Sequence, residues 1–154
     1  MSSVIPTATS VVESAVIKAP LSHVWHHIKR ESIQNFSAFW SALKQSEAVK
    51  SQEETDLVKW TFNDGTELEV KQEEHSTINH YITYSVITSK PELSYTSVVS
   101  TIRCYAVTSG ELENSTFVEW TGNFSSDADA GVIQDAKFKR RDALADLAKA
   151  AMKM

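Results

Sequence analysis

Apolar and polar residues alternate with a period of two along most of this sequence, which is the pattern of β-strands with one buried face. In the segment FVEWTGNF (117–124), the residues Val118, Trp120 and Phe124 fall on the same face. Turn-forming sequences such as NDG (63–65) separate the alternating runs, so neighbouring strands are expected to pair antiparallel. The pattern predicts seven strands, near Ser10–Lys18, Ser46–Lys50, Asp56–Phe62, Thr66–Glu73, Thr77–Ile87, Ser94–Val107 and Thr116–Phe124.

A helical spacing of apolar residues replaces this alternation in three segments. The segment 21–30 follows Pro20, a favourable residue for a helix start, and the segment 33–43 is a second candidate for a short helix. The segment 125–154 contains no proline and has one apolar stripe, so it predicts a long amphipathic helix. Its N-cap candidates are Ser125, Ser126 and Asp127, with Asp129 in the first turn.

This order of elements predicts an α+β fold, with a seven-stranded antiparallel curved sheet, two short helices after the first strand and a long C-terminal helix. Of these helices, only the last is long enough to cover the sheet. Because one helix is narrower than a wide curved sheet, space should remain between them unless large side chains fill it. The sequence therefore predicts an internal cavity of the kind that binds small molecules.

The composition narrows the class of protein. A length of 154 residues fits one domain, so we expect a flexible N-terminus over residues 1–9 and a single ligand-binding domain over residues 10–154. The formal net charge of −5 argues against nucleic acid as a partner, because phosphate-backbone binding depends on clustered Lys and Arg.

No apolar run approaches the roughly 20 residues that span a bilayer, so stable membrane insertion is not expected. The first ten residues lack the features of a secretory signal, which favours a cytoplasmic location.

Four segments of the chain, taken in order, resemble one known family. They are VVESAVIKAPLSHVWHHI (11–28), FNDGTELEV (62–70), INHYITYSVI (78–87) and STFVEWTGNFSSDADAGVI (115–133). Together they cover nearly the whole chain, and they resemble the polyketide cyclase/dehydrase and lipid-transport family of the START-like superfamily. This resemblance implies the helix-grip fold that the birch pollen allergen shares, with a cavity for lipids, sterols, hormones or polyketides.

The resemblance leaves the activity open, because members of this family include carriers, receptors and enzymes. The sequence also departs from the pollen-allergen branch at KSQEET (50–55), where that branch has a glycine-rich loop between its second and third strands. Phosphate-like recognition at this loop is therefore not expected.

Strand parity assigns a set of side chains to the inward face, where packing in a core and contact with a ligand are both expected. The residues predicted to contact the ligand are Trp60, Val70, His80, Tyr84, Ile102, Val118, Trp120, Phe124, Arg140 and Leu144. Among them, His80 and Tyr84 place an imidazole and a phenol on one strand face, where they could polarise a carbonyl or move a proton. They could equally be satisfied polar groups in a cavity wall, because no motif places a nucleophile or a carboxylate pair beside them.

Arg140 is the least expected residue of the C-terminal helix, because it falls within the apolar stripe between Ile133 and Leu144. A buried guanidinium without a partner is costly. Its side chain must therefore reach solvent, form a salt bridge with an acidic strand residue, or meet a polar spot of the cavity that orients an amphipathic ligand.

The other reactive residues give weaker indications. Cys104 lies in an alternating run where a small buried thiol is common, and a lone cysteine cannot form an internal disulfide. His23 and His27 have a spacing that allows two metal ligands on a helix, but no Asp, Glu or Cys signature completes a zinc site. No catalytic residue, metal or cofactor is therefore predicted.

The sequence favours a protein that reversibly binds a hydrophobic or amphipathic small molecule, such as a lipid, sterol or polyketide-like compound, and carries or senses it. One alternative is a cyclase/dehydratase or isomerase in which His80 or Tyr84 moves protons in the same cavity. Another is a ligand-regulated interaction module, in which the segment QNFSAFW (34–40) or the loops at the mouth move for an unidentified protein partner.

Overall fold

The computed structural model describes residues 9–29, 32–49 and 57–153. In these residues seven antiparallel strands form one curved sheet, in the order β1-β7-β6-β5-β4-β3-β2. The strands are β1 (Ser10–Ile17), β2 (Leu43–Ala48), β3 (Leu57–Phe62), β4 (Glu67–Ser76), β5 (Tyr81–Lys90), β6 (Val98–Ala106) and β7 (Thr116–Phe124). The predicted seven-stranded antiparallel sheet is confirmed, and β1 forms one edge of it, pairing with β7 from Ser10–Asn123 to Ile17–Thr116.

Some predicted features lie wholly or partly outside the described residues, including the last residue of each of the predicted helical segments 21–30 and 125–154. The others are the flexible N-terminus 1–9, of which only Thr9 is described, the loop KSQEET (50–55), and the outer ends of the second and third predicted strands at Lys50 and Asp56.

Two α-helices and one 3-10 helix complete the described fold: α1 (Leu21–Lys29), the 3-10 helix Ser32–Ala38 and α2 (Ala130–Met152). The carbonyl of Pro20 accepts the first hydrogen bonds of α1. The second short helix predicted around 33–43 is this 3-10 helix, and it ends earlier than predicted, at Ala38, since Leu43 already belongs to β2. Phe36, Phe39 and Trp40 are all buried. Their spacing of three and four residues also fits one face of an α-helix, so the apolar pattern alone does not distinguish the shorter 3-10 helix from an α-helix.

The long helix α2 begins later than predicted, because Asp129 is its N-cap rather than Ser125, Ser126 or Asp127. The Asp129 carboxylate accepts a hydrogen bond of 2.8 Å from the backbone N–H of Val132. Asp127 bonds instead to the segment before β6, since its carboxylate accepts hydrogen bonds of 3.1 and 2.7 Å from the N–H and hydroxyl of Thr96. Hydrogen bonds from Ser125 and Thr96 lower the pKa of Asp127 to about 2. These contacts tie the turn before α2 to the start of β6.

Replacing Asp129 with alanine should lower the free energy of unfolding by about 1 kcal/mol, because the first turn of α2 loses its side-chain acceptor. Asp142→Ala, at an exposed position within α2, is the matched control and should change stability much less. The measurement is urea denaturation followed by circular dichroism. Equal stability of the two variants would contradict the capping role.

Several strand ends differ from the predicted ones. β4 continues to Ser76 and β5 begins at Tyr81, so the turn between them is Thr77–His80 and lies later than the predicted turn at EEHST (73–77). His80 has a φ of 56°, and the N–H of Asn79 donates to the hydroxyl of Ser76. The turn contains no glycine, so the positions of glycine and proline in the sequence do not predict where it lies.

The second and sixth strands were also misplaced. β2 begins at Leu43 rather than Ser46, and β6 begins at Val98 rather than Ser94. Leu43 is buried opposite Phe62, so an apolar contact extends β2 backwards towards the 3-10 helix. The residues before Val98 belong to the connection from β5 and lie near the N-terminal end of α2.

Two clusters of buried side chains lie between the sheet and the helices. The larger cluster joins α1, the 3-10 helix and the second half of α2 to the sheet, through residues such as Trp25, Phe36 and Leu147. The smaller cluster packs the first half of α2, through Ile133 and Ala136, against the ends of β1, β6 and β7. On α2, Arg140 falls between the two clusters.

Candidate ligand-binding cavity

A cavity of about 300 Å³ lies between the inner face of the sheet and the first half of α2. Five of the predicted contact residues line it, namely Trp60, Tyr84, Trp120, Phe124 and Arg140. Its inner wall also includes Trp40, Phe62, Val98, Ser100 and Ala136. Half-buried or exposed residues surround its opening, among them Leu68, Val86, Leu93, Tyr95, Val132, Asp135 and Lys139.

The other five predicted contact residues lie elsewhere. Val70, Ile102 and Val118 are fully buried in the larger cluster, and Leu144 is buried beside them. His80 lies in the turn before β5, with its ring centroid 5.5 Å from that of Trp25 on α1. The predicted pairing of His80 with Tyr84 on one strand face was therefore wrong, because the turn ends the alternation before β5 begins.

The inner wall of the cavity is aromatic. The ring of Trp40 lies 5.6 Å from that of Trp60 and 5.4 Å from that of Trp120, in edge-on contacts. Trp60 in turn lies 5.2 Å from Tyr84, and Phe36 packs behind this group. Such contacts fix the rings against one another, so the wall offers an ordered apolar surface. Trp40 was not predicted, because it follows the 3-10 helix and no periodic pattern sets its direction.

Four polar side chains meet at the inner end of this wall. The Trp120 indole N–H donates to the Tyr84 hydroxyl over 2.9 Å, and the Arg140 Nη2 donates to the Ser100 hydroxyl over 2.8 Å. Tyr84 and Ser100 are direct partners across β5 and β6, so the two bonds are adjacent. Burial raises the pKa of Tyr84, although the charge of Arg140 opposes the shift. Tyr84 is therefore a neutral phenol that can donate or accept a hydrogen bond.

Arg140 is only 8% exposed, yet none of the described residues offers its guanidinium a carboxylate at ion-pair distance. Its partners are the Ser100 hydroxyl, the Ala136 carbonyl at 3.3 Å and the face of Phe124 at 5.8 Å. Within the described chain, its Nε has no hydrogen-bond partner. Burial lowers the pKa of Arg140, which reflects the cost of keeping the charge out of water.

The expected salt bridge of Arg140 with an acidic strand residue is not formed with any described residue. Glu13 on β1 attracts Arg140 weakly, but its carboxylate bonds instead to the Nε of Arg141 at 2.7 Å, near the surface. The low exposure of Arg140 also rules out a side chain that extends into solvent. A polar spot within the cavity is the alternative that remains.

Gly122 on β7 makes room for this guanidinium. A Cβ atom at this position would lie 2.5 Å from Arg140 Nη2, closer than real contacts allow, and 3.1 Å from the ring of Phe124, which is a tight contact. The glycine lies between Trp120 and Phe124 on the inward face of FVEWTGNF. At this position the alternating pattern predicts an apolar side chain. This interruption of the pattern is a sequence signal for a space that another side chain occupies.

The remaining candidates for chemistry lie away from the cavity wall. Cys104 is buried in the larger cluster, and burial raises the pKa of its thiol to about 12, so the reactive thiolate is scarce at neutral pH. Within the described ranges, no group of three or more His, Cys, Asp or Glu side chains could hold a metal ion. No described helix is both long enough and apolar enough to cross a membrane.

A curved seven-stranded antiparallel sheet that packs around a long C-terminal helix, with a cavity between them, defines the helix-grip class of proteins. The chain belongs to the polyketide cyclase/dehydrase and lipid transport family, whose sequence profile matches residues 8–153. No curated protein sequence is significantly similar to the chain.

Solved structures agree with this assignment at the level of the fold. An uncharacterised protein from Bacillus thuringiensis is 21% identical, with a TM-score of 0.77 over 93% of this chain and 98% of that chain. The protein XoxI from Bacillus cereus is 21% identical, with a TM-score of 0.78 over 95% of this chain and 96% of its own. Ara h 8.0201, which has the Bet v 1-like fold, is 12% identical, with a TM-score of 0.70 over 94% and 98% of the two chains.

Proposed function

We propose that this protein reversibly binds a hydrophobic or amphipathic small molecule in the cavity between the sheet and α2, and carries or senses it. The observation that supports this most strongly is Arg140, a buried cation at the wall of an aromatic cavity for which the described residues provide no carboxylate. Apolar surface buried on the ligand would contribute about 25 cal/mol per Å². Arg140 and Tyr84 would set its orientation.

The balance of donors and acceptors supports an amphipathic ligand over a pure hydrocarbon. Arg140 carries several N–H groups, while Trp120, Ser100 and Tyr84 each carry one more donor. The acceptors that they use are the hydroxyl oxygens of Ser100 and Tyr84 and the carbonyl of Ala136. Donors therefore exceed acceptors at this end of the cavity, and a ligand oxygen would satisfy some of the surplus.

The enzyme alternative has lost one of its two candidate residues, because His80 packs against Trp25 outside the cavity wall. Tyr84 remains, and its raised pKa makes it a hydrogen-bond donor that holds its proton at neutral pH. We therefore propose binding rather than turnover as the function of the cavity.

The proposal is tested with the neutral dye N-phenyl-1-naphthylamine, whose fluorescence rises in an apolar site. Wild-type protein should bind the dye at one site, and Val86→Trp should weaken binding at least about tenfold, because the larger side chain fills the space at the opening. Val99→Trp is the matched control, since Val99 is 40% exposed and points away from the cavity. Equal dye affinity in both variants would contradict binding in the cavity.

A further inference from the structure

We infer that the ligand is a compact aromatic carboxylate and that it enters carboxylate first, so that the anion meets Arg140 at the inner end of the cavity. This inference rests on the proposed function and adds the chemical class and the direction of the ligand. It depends on where the polar groups lie, on the charge they carry, and on the size and shape of the space.

The polar groups lie at the inner end of the cavity. Tyr84, Ser100 and Trp120 are at most 4% exposed, and Arg140 is 8% exposed. The residues near the opening include half-buried apolar side chains, namely Leu68, Val86, Leu93, Tyr95 and Val132. A ligand that satisfies both ends therefore has its polar group innermost and its apolar body towards the opening.

The charge of the inner end matches a single negative charge. Arg140 is the one cation among the inner-wall residues described, and Lys139 at the opening is paired with Asp135 at 2.9 Å. A monoanion would balance Arg140, whereas a dianion would leave a buried charge without a partner. A carboxylate is planar like the guanidinium, and its two oxygens can accept from Arg140 and from a neighbouring hydroxyl. Ser100 and Tyr84 provide such hydroxyls.

The size and walls of the cavity favour one or two rings. A volume of about 300 Å³ holds on the order of ten non-hydrogen atoms, at the roughly 30 Å³ that each water occupies in the liquid. A sterol or a long-chain lipid would exceed this space and project through the opening. The rings of Trp40, Trp60 and Trp120 form the inner wall, and aromatic surfaces of this kind favour a flat aromatic body through edge-on or offset contacts.

The inference is tested by calorimetric titration at pH 7 with 2-naphthoate, methyl 2-naphthoate and decanoate. Wild-type protein should bind 2-naphthoate at least about tenfold more tightly than its methyl ester, because the ester cannot make charge-assisted hydrogen bonds to Arg140. It should also bind 2-naphthoate several-fold more tightly than decanoate, an aliphatic acid of similar size. In Arg140→Gln the ratio of acid to ester should fall to about one, and in the control Arg141→Gln it should be unchanged.

The direction of entry is tested with two substituted acids. A butoxy group at carbon 6 of 2-naphthoate, far from the carboxylate, should be tolerated because it points to the opening. The same group at carbon 3, beside the carboxylate, should weaken binding at least about tenfold, because the inner wall leaves no space for it. The opposite order of affinities would overturn the carboxylate-first orientation.

The outcomes separate this inference from the proposed function. Equal affinity for the acid and its ester in wild-type protein, with the neutral dye still bound in a manner sensitive to Val86→Trp, would overturn the inference and leave the proposed function standing. Decanoate bound as tightly as 2-naphthoate would overturn the aromatic class. Failure of the dye and of all the acids to bind would contradict the proposed function itself.

Discussion

Replacing Arg140 with leucine is expected to stabilise the ligand-free protein by about 1 kcal/mol or more, while it removes the preference for anions. The guanidinium is buried, has no carboxylate among the described residues, and leaves its Nε unbonded within them. Its neighbours on α2 and the sheet include the apolar residues Ala136 and Phe124, which a leucine can contact. Stability given up at one position for the sake of binding is typical of functional sites.

The measurement is thermal and urea unfolding of wild-type and Arg140→Leu proteins, both stripped of bound small molecules. Arg141→Leu is the matched control, because it removes the same charge from the next residue, whose side chain is 56% exposed and pairs with Glu13 near the surface, where an ion pair contributes little. We expect the control to be neutral or slightly destabilised. If Arg140→Leu lowers the free energy of unfolding by more than about 2 kcal/mol, the guanidinium stabilises the fold. That result would contradict the proposal that Arg140 serves ligand binding at the expense of stability.

Replacing Gly122 with alanine is expected to cost about 1–2 kcal/mol and to reduce the preference for 2-naphthoate over its methyl ester about tenfold. The added Cβ would lie 2.5 Å from Arg140 Nη2 and 3.0 Å from Cζ, so the guanidinium must move. That movement would break its 2.8 Å hydrogen bond to Ser100. The substitution thus displaces the cation without removing it.

A double-mutant cycle separates this effect from a general disturbance of β7. In the Arg140→Leu background, Gly122→Ala should cost much less, so the two substitutions should be coupled by about 1 kcal/mol or more. Asn123→Ala, at the next and exposed position of the strand, should show no coupling with Arg140→Leu. Additive effects of Gly122→Ala and Arg140→Leu would contradict the contact between these two residues.

The sequence predicted the fold correctly wherever the spacing of apolar residues fitted only one type of secondary structure. Alternation in FVEWTGNF placed Val118, Trp120 and Phe124 on the inward face, and all three are buried. The apolar stripe of 125–154 predicted a single long helix, and its interruption at Arg140 identified the one buried charge of that helix. These features follow from local periodicity, which the sheet and the helix preserve.

The division of the inward face into core and cavity could not be predicted from parity. Ser100 and Ile102 are two residues apart on the same face of β6, yet Ser100 lines the cavity and Ile102 lies in the solid core. The difference is what packs against each residue: Ile102 shares the larger cluster with the second half of α2, whereas Ser100 faces Arg140 at the cavity. Register shifts between β4 and β5, at Glu69/Val70 and Gln72/Glu74, contribute to the curvature of the sheet and have no signal in the alternation.

His80 and Trp40 show the limits of local patterns in opposite ways. His80 continues the alternation of INHYITYSVI, but a turn with left-handed backbone at His80 separates it from β5. Trp40 follows an irregular 3-10 helix and turns back onto Trp60 and Trp120 through long-range packing. The turn at His80 is local, with the Asn79 N–H bonded to the Ser76 hydroxyl, whereas the position of Trp40 depends on tertiary packing. Neither is indicated by the alternation of apolar residues.

A crystal structure of the protein with saturating 2-naphthoate tests the central claim most directly. We predict density for the two rings between Trp120 and α2, with a carboxylate oxygen within hydrogen-bond distance of an Arg140 nitrogen. A naphthoate bound only on the outer face of the sheet, or an interior that excludes it at saturation, would contradict the proposal that this cavity is a ligand site.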